Sequence, residues 1–283
     1  MKRIVIAAFL VFFSTSAFAG AIHWDPMDGN WAPKGTHAAI IYFQHNAADT
    51  IKKDGDTLVK GVDYEANIMI ARWNTWQQVG KFPLQVSLIL PFADVSAPSG
   101  TGTGIGDLGL VSQARFAKWN NGYFNAGLSV YFPTGRYDNE RAVNVGSNRW
   151  AFRPSMIVAN TWGGKFRIDW ITAAEIYTKN NDFTAASLTL KKKPEIFTDL
   201  HFSYILQPES GTFVSATLGG TWMGKEEADG NEVNSNKSDF STKFTFATNL
   251  NPTFQMMLSL TYDLQIENGP KGYGMQMRLA KMF

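Results

Sequence analysis

The sequence predicts an all-β protein, a transmembrane antiparallel β-barrel of twelve strands over residues 36–283 with both termini periplasmic. Three observations predict it. Apolar and polar residues alternate over stretches of about ten to fourteen residues, long enough to cross hydrocarbon at a tilt of about 45°. Short and long connections alternate between those stretches, as the turns and loops of outer-membrane barrels do. The chain also opens on a segment of export type and holds no apolar run of spanning-helix length.

In the export segment, Lys2 and Arg3 precede the apolar run Ile4 to Phe13, and Ala17-Phe18-Ala19 follows. This reads as a signal peptide over residues 1–19, cleaved after Ala19 and too short in its apolar core to span a membrane. Export of a barrel predicts the outer membrane of a Gram-negative bacterium. Residues 20–35, with His23-Trp24-Asp25-Pro26 and Trp31-Ala32-Pro33, read as an irregular periplasmic segment.

Strand signals bounded by turn residues fall near 36–46, 61–74, 82–92, 106–117, 122–132, 149–160, 165–177, 194–207, 212–224, 239–249, 253–266 and 273–283. The pattern is clearest near the end. Phe254, Met256, Leu258, Leu260, Tyr262, Leu264 and Ile266 alternate with mostly polar residues, so one face meets an apolar medium and the other does not. The last strand runs through Tyr273, Met275, Met277 and Leu279 to Phe283, the ending expected of a strand that closes on the first and engages the barrel-assembly machinery. Lys281 interrupts its apolar face at the headgroup level. Connections near 73–81, 118–122, 161–164, 207–211 and 249–252 are short. Those at 47–60, 93–105, 133–148, 178–193 and 225–238 are long and polar, and 267–272 is short.

Aromatic residues gather at strand ends. Trp73, Trp76, Phe82, Phe116, Trp119, Tyr123 and Trp162 lie by the short turns, and Phe92, Tyr131, Trp150, Tyr177, Trp222 and Tyr273 by the loops. Two such bands predict interfacial girdles and a lipid partner.

Composition excludes several classes. Without Lys2 and Arg3, 24 basic residues face 24 acidic ones, and this balance gives no basic face for nucleic acid. The chain has no cysteine, and its four histidines (His23, His37, His45, His201) lack partners at metal-ligand spacing. Gly104-Ile105-Gly106-Asp107-Leu108-Gly109 fits a dinucleotide fingerprint on paper, but an alternating strand follows it rather than a helix. The glycines read as a tight loop entering a strand. His201 and Ser203 share a strand face at roughly 7 Å, too far apart for a direct catalytic hydrogen bond, and no nucleophile elbow is present. Glu195 and Asp199 are similarly too far apart to act as a pair. Asp54-Gly55-Asp56 and the Glu226–Asp229 cluster read as solvated loops, with Lys191-Lys192-Lys193 a candidate contact for lipopolysaccharide. No cofactor or metal is expected, and no enzymatic role.

The alternation places Asp63, Glu65, Arg115, Arg153, Arg167, Asp169, Glu175, Asp199, His201, Lys243, Asp263 and Arg278 on the lumen face. Such charges either pair across strands and stiffen the interior or line a wet passage and set its selectivity. Arg136, Arg141 and Arg149, in the loop after Pro133-Thr134-Gly135, are candidates to fold inward as a constriction or to stay solvated.

Four segments carry a family resemblance: Gly104 to Leu110 (GIGDLGL), Tyr131 to Asp138 (YFPTGRYD), Asn144 to Pro154 (NVGSNRWAFRP) and Thr178 to Thr184 (TKNNDFT). In order and spacing they resemble the outer-membrane family called the meta-pathway of phenol degradation proteins. The resemblance implies a channel or transporter for small apolar or aromatic molecules, and it implies no set of binding residues. With the reading of the residues it predicts passive uptake of small solutes. A closed structural or adhesive barrel is the alternative, and an outer-membrane enzyme a further one.

Overall fold

The computed structural model describes residues 24–283, so the signal peptide expected at 1–19 lies outside the described residues. In chain order the strands are β1 (His37–Lys53), β2 (Asp56–Val79), β3 (Phe82–Ala97), β4 (Gly100–Ile105), β5 (Leu108–Trp119), β6 (Gly122–Phe132), β7 (Ala151–Trp162), β8 (Phe166–Tyr177), β9 (Asn180–Phe183), β10 (Leu188–Lys192), β11 (Glu195–Gln207), β12 (Thr212–Met223), β13 (Glu226–Ala228), β14 (Asn231–Asn234), β15 (Lys237–Asn251), β16 (Phe254–Gln265) and β17 (Gly269–Met282). Twelve of them form one antiparallel wall: β1, β2, β3, β5, β6, β7, β8, β11, β12, β15, β16 and β17. β17 pairs back on β1 from Ala38↔Met282 to Lys52↔Gly269, closing the barrel. Each of the twelve strand signals in the sequence corresponds to one of these strands.

Closure leaves no open edge in the wall, the condition for backbone polar groups to survive in lipid. The side chains sort accordingly. On β16, Leu258 and Leu260 are 44% and 51% exposed while Ser259 between them is 7% exposed. The apolar side therefore faces outward. Aromatic pairs band the ends: Trp73 with Phe283 and Phe82 with Phe116 at the short-turn end, Phe132 with Trp150 and Trp222 with Phe240 at the long-loop end.

The long connections are more ordered than their polarity suggests. β1 and β2 continue as one hairpin to Asp54-Gly55, where both residues have positive φ. β4 folds back on the upper part of β3 while β5 pairs with its lower part, so residues 106–107 mark a break within what is nearly one strand. This is where the fingerprint-like glycines fall, and no helix follows them. The connections 178–193 and 225–238 supply β9, β10, β13 and β14, which form a second sheet over Phe183, Leu190 and Ala228.

Beyond the lipid the alternation inverts. Val62, Tyr64, Ala66, Ile68, Ala93 and Val95 point inward and pack with Val143 and Val145 of the folded-in loop 133–150. Outside the hydrocarbon the outer face meets water, so apolar side chains gain by turning toward the interior. Glu65 lies between Tyr64 and Ala66 and is exposed on the outer face. The lumen placement expected for Glu65, and for Asp63 two residues before it, is corrected by this inversion.

Candidate functional site

A segment of the chain itself enters the barrel at one end. Residues 24–36 form turns and bends, and they lie against the inner wall at the short-turn end. The backbone ties are Gly35 N–H to the Trp76 carbonyl and Trp76 N–H to the Thr36 carbonyl. Trp31 and Ala32 pack on Ala38, Ile40, Tyr42 and Trp76. Polar contacts then reach around the wall. Asp199 accepts from the Trp24 N–H at 2.9 Å, and Lys243 donates to the Trp24 carbonyl at 2.7 Å. Arg115 and Asn125 both donate to the Gly29 carbonyl, at 2.8 and 2.9 Å. Arg278 donates to Asp28 at 3.0 Å, and Arg72 approaches the same carboxylate at 3.5 Å.

Asp25 is the centre of this segment. It is 4% exposed and accepts from Lys243 and Arg278, each at 3.1 Å, and from Gln276 at 2.9 Å. Burial by itself would raise its pKa. Lys243, Arg278 and the Gln276 hydrogen bond outweigh that and hold the carboxyl below the usual carboxylate range.

The remaining lumen candidates face inward and find partners. Arg167 donates to both oxygens of Asp169, at 2.9 and 2.6 Å, and to the Tyr123 hydroxyl at 2.6 Å. Arg115 also lies over the rings of Trp31 and Tyr123. Arg153 forms an ion pair with Glu175 and is flanked by the rings of Trp24, Tyr131 and Phe197. Asp263 accepts from the Ser241 hydroxyl at 2.8 Å and from the Gly272 N–H at 2.9 Å. His201 Nδ1 lies 2.7 Å from the Thr217 hydroxyl, and the Ser203 hydroxyl donates to Ser215 at 3.0 Å. These partners differ, so His201 and Ser203 are not assembled into a dyad.

The loop arginines separate. Arg136 is exposed and donates to the Thr103 carbonyl at 2.9 Å, and Arg141 is exposed with Asp138 at 3.2 Å. Neither forms the inward constriction considered for it, because the loop turns its apolar valines inward and leaves these side chains in water. Arg149 is buried, at 3% exposure, beside Tyr177 and Glu226. Burial works against the Glu226 carboxylate, but Lys192 and Arg149 lower its pKa further than burial raises it.

Reading the sequence missed Asp25, Asp28 and Arg72. The sequence phasing gave no signal for them, because it counted Asp63 and Glu65 among the lumen acids. With those two turned outward, the lumen cations outnumber the lumen acids, and Asp25 and Asp28 supply the missing charge.

Residues 47–279 match the family model described as "Putative MetA-pathway of phenol degradation". The chain belongs to this family. Among solved structures, an outer membrane channel from Pseudomonas putida F1 is 26% identical with a TM-score of 0.88, the match covering 92% of this chain and 100% of that one. The translocator domain of the autotransporter NalP from Neisseria meningitidis shares the barrel fold at 11% identity and a TM-score of 0.55, over 91% of this chain and 90% of that one. A monoaromatic hydrocarbon channel, CymD, shares it at 10% identity and a TM-score of 0.51, over 89% of each chain. No curated protein matches the chain. A family member with this fold is an outer-membrane β-barrel, set in lipid.

Proposed function

We propose that the protein is a passive outer-membrane channel for small apolar or aromatic solutes, with residues 24–36 acting as its gate. One observation carries this reading. The inward cations Arg72, Arg115, Lys243 and Arg278 are all engaged by residues 24–36, so the short-turn half of the lumen presents no free charged ring to attract hydrophilic ions. The family description, which names phenol degradation, supports aromatic solutes. The reading includes export by the signal peptide at 1–19, termini on the periplasmic side, assembly through β17, and no catalytic role.

The same pairing favours a second reading, a sealed structural barrel. Uptake separates the two. Gram-negative cells producing the protein should take up labelled toluene several-fold faster than cells lacking it, with no gain for glucose. Equal toluene uptake in both strains, together with no conductance in planar bilayers, supports the sealed barrel.

A further inference from the structure

We infer that Arg149 is a docking point for the carboxylate of an aromatic acid at the long-loop mouth of the barrel. The inference rests on the channel reading above and narrows its solute class. Its basis is a buried guanidinium two of whose nitrogens lack an acceptor. Arg149 is 3% exposed, yet its Nε and Nη1 have no hydrogen-bond partner among the described residues. The nearest carboxylate, Glu226, stands 3.9 Å from Nη2, outside hydrogen-bond range. Glu226 accepts from the Asn234 side chain at 2.6 Å and forms ion pairs with Lys192 at 3.7 Å and with Arg149 at 3.9 Å. A buried guanidinium with unpaired donors is unfavourable unless an acceptor completes it.

The local structure holds the group in place. Asn148 has φ 52°, a left-handed turn that an Asn side chain tolerates, and its amide donates to Asn180 at 3.0 Å. Asp107 accepts from the Ser147 N–H at 2.9 Å, and the Ser147 hydroxyl donates to the Arg149 carbonyl at 3.1 Å. Trp150 N–H donates to the Thr178 hydroxyl at 3.0 Å. The arginine is therefore pinned on both sides, so little ordering cost remains when a ligand binds. Its guanidinium lies over the Tyr177 ring at 4.6 Å, and Lys192 Nζ lies over the same ring at 4.6 Å, so the ring backs the donors and keeps them in place.

Donors beside an aromatic face suit a planar oxyanion carried on a ring. Guanidinium pairs geometrically with carboxylate and with phosphate. Arg149 and Lys192 already face Glu195 and Glu226, so the smaller added charge of a carboxylate suits the site better than that of phosphate.

The test uses benzoate, inorganic phosphate and toluene against wild type, Arg149→Met and Arg149→Lys. Binding is read in detergent from tryptophan fluorescence, since Trp150 adjoins the site, and uptake is read in cells. Benzoate should give a saturable change in wild type, with affinity at least tenfold weaker in Arg149→Met and partly kept in Arg149→Lys. Phosphate should give none, and toluene uptake should be the same in all three. A benzoate response untouched by Arg149→Met overturns the inference, as does a saturable phosphate response of equal strength. So does loss of benzoate and toluene uptake together, which marks Arg149 as structural; heat-modifiability on gels reports folding of each variant. If wild type takes up neither solute, the channel reading fails, and the binding arm still decides the role of Arg149.

Discussion

Asp25 and Lys243, 218 residues apart in the chain, meet at 3.1 Å inside the barrel. With Arg278 on the other oxygen, this contact fastens the segment before the first strand to β15 and β17. Asp25 is the most heavily paired of several ties that hold residues 24–36, and the predictions start there.

Asp25→Ala leaves Lys243 and Arg278 buried without their shared partner. Removing one side of a buried pair typically costs about 3–5 kcal/mol. We expect a lower urea midpoint and a higher single-channel conductance in planar bilayers, as residues 24–36 detach. Unchanged conductance argues against a gate at this position.

The pH dependence of that attachment follows from its sign. A carboxyl whose folded pKa is depressed contributes stability above its unfolded value, about 3.9, and loses it as pH falls through the folded value. Burial opposes ionisation of Asp25, and Lys243 with Arg278 overcomes it, so the folded value is the lower one. Conductance should therefore stay flat from pH 7 to about 4 and rise only in stronger acid. A rise centred near pH 6 would contradict Asp25 as the fastening.

Arg115 and Glu65 should behave oppositely. Arg115 holds the Gly29 carbonyl at 2.8 Å inside the barrel, whereas Glu65 is exposed on its outer face. Arg115→Met should raise conductance and shift the reversal potential under a salt gradient. Glu65→Gln should leave both at wild-type values.

Phe283 stacks on Trp73 at 6.0 Å, and its backbone exchanges two hydrogen bonds with His37, at 2.9 and 3.2 Å. Deleting it removes an aromatic pair and two ties across the closing seam, worth about 1–3 kcal/mol together. The deletion should lower the temperature at which the folded band converts on gels.

Gly135 and Gly146 face each other so closely that a Cβ on Gly146 would lie 2.5 Å from the Gly135 carbonyl carbon. Backbone on both sides leaves no flexible atom to yield. Gly146→Ala should displace the folded-in loop 133–150 at a cost of about 1–3 kcal/mol. Faster proteolysis within that loop, with the barrel intact, is the expected readout.

The sequence by itself determined the barrel, its twelve strands, their lipid-facing sides and most of their aromatic bands, although Trp76 and Tyr123, expected in those bands, are buried inside the barrel. Each of these follows from residues close together in the chain, because lipid on one face imposes a period of two on every strand that crosses it. The same local signal misassigned Glu65, since β2 runs past the lipid and the pressure that sets the period reverses there. It left undecided whether Arg136, Arg141 and Arg149 fold inward. Only Arg149 does, by virtue of a left-handed turn at Asn148 and a hydrogen bond from Ser147. The entry of residues 24–36 into the lumen was likewise a matter of tertiary structure. Asp25 reads as one polar residue in an irregular segment until closure of the barrel brings Lys243 and Arg278 around it, and a pairing across 218 residues leaves no periodic trace in the chain.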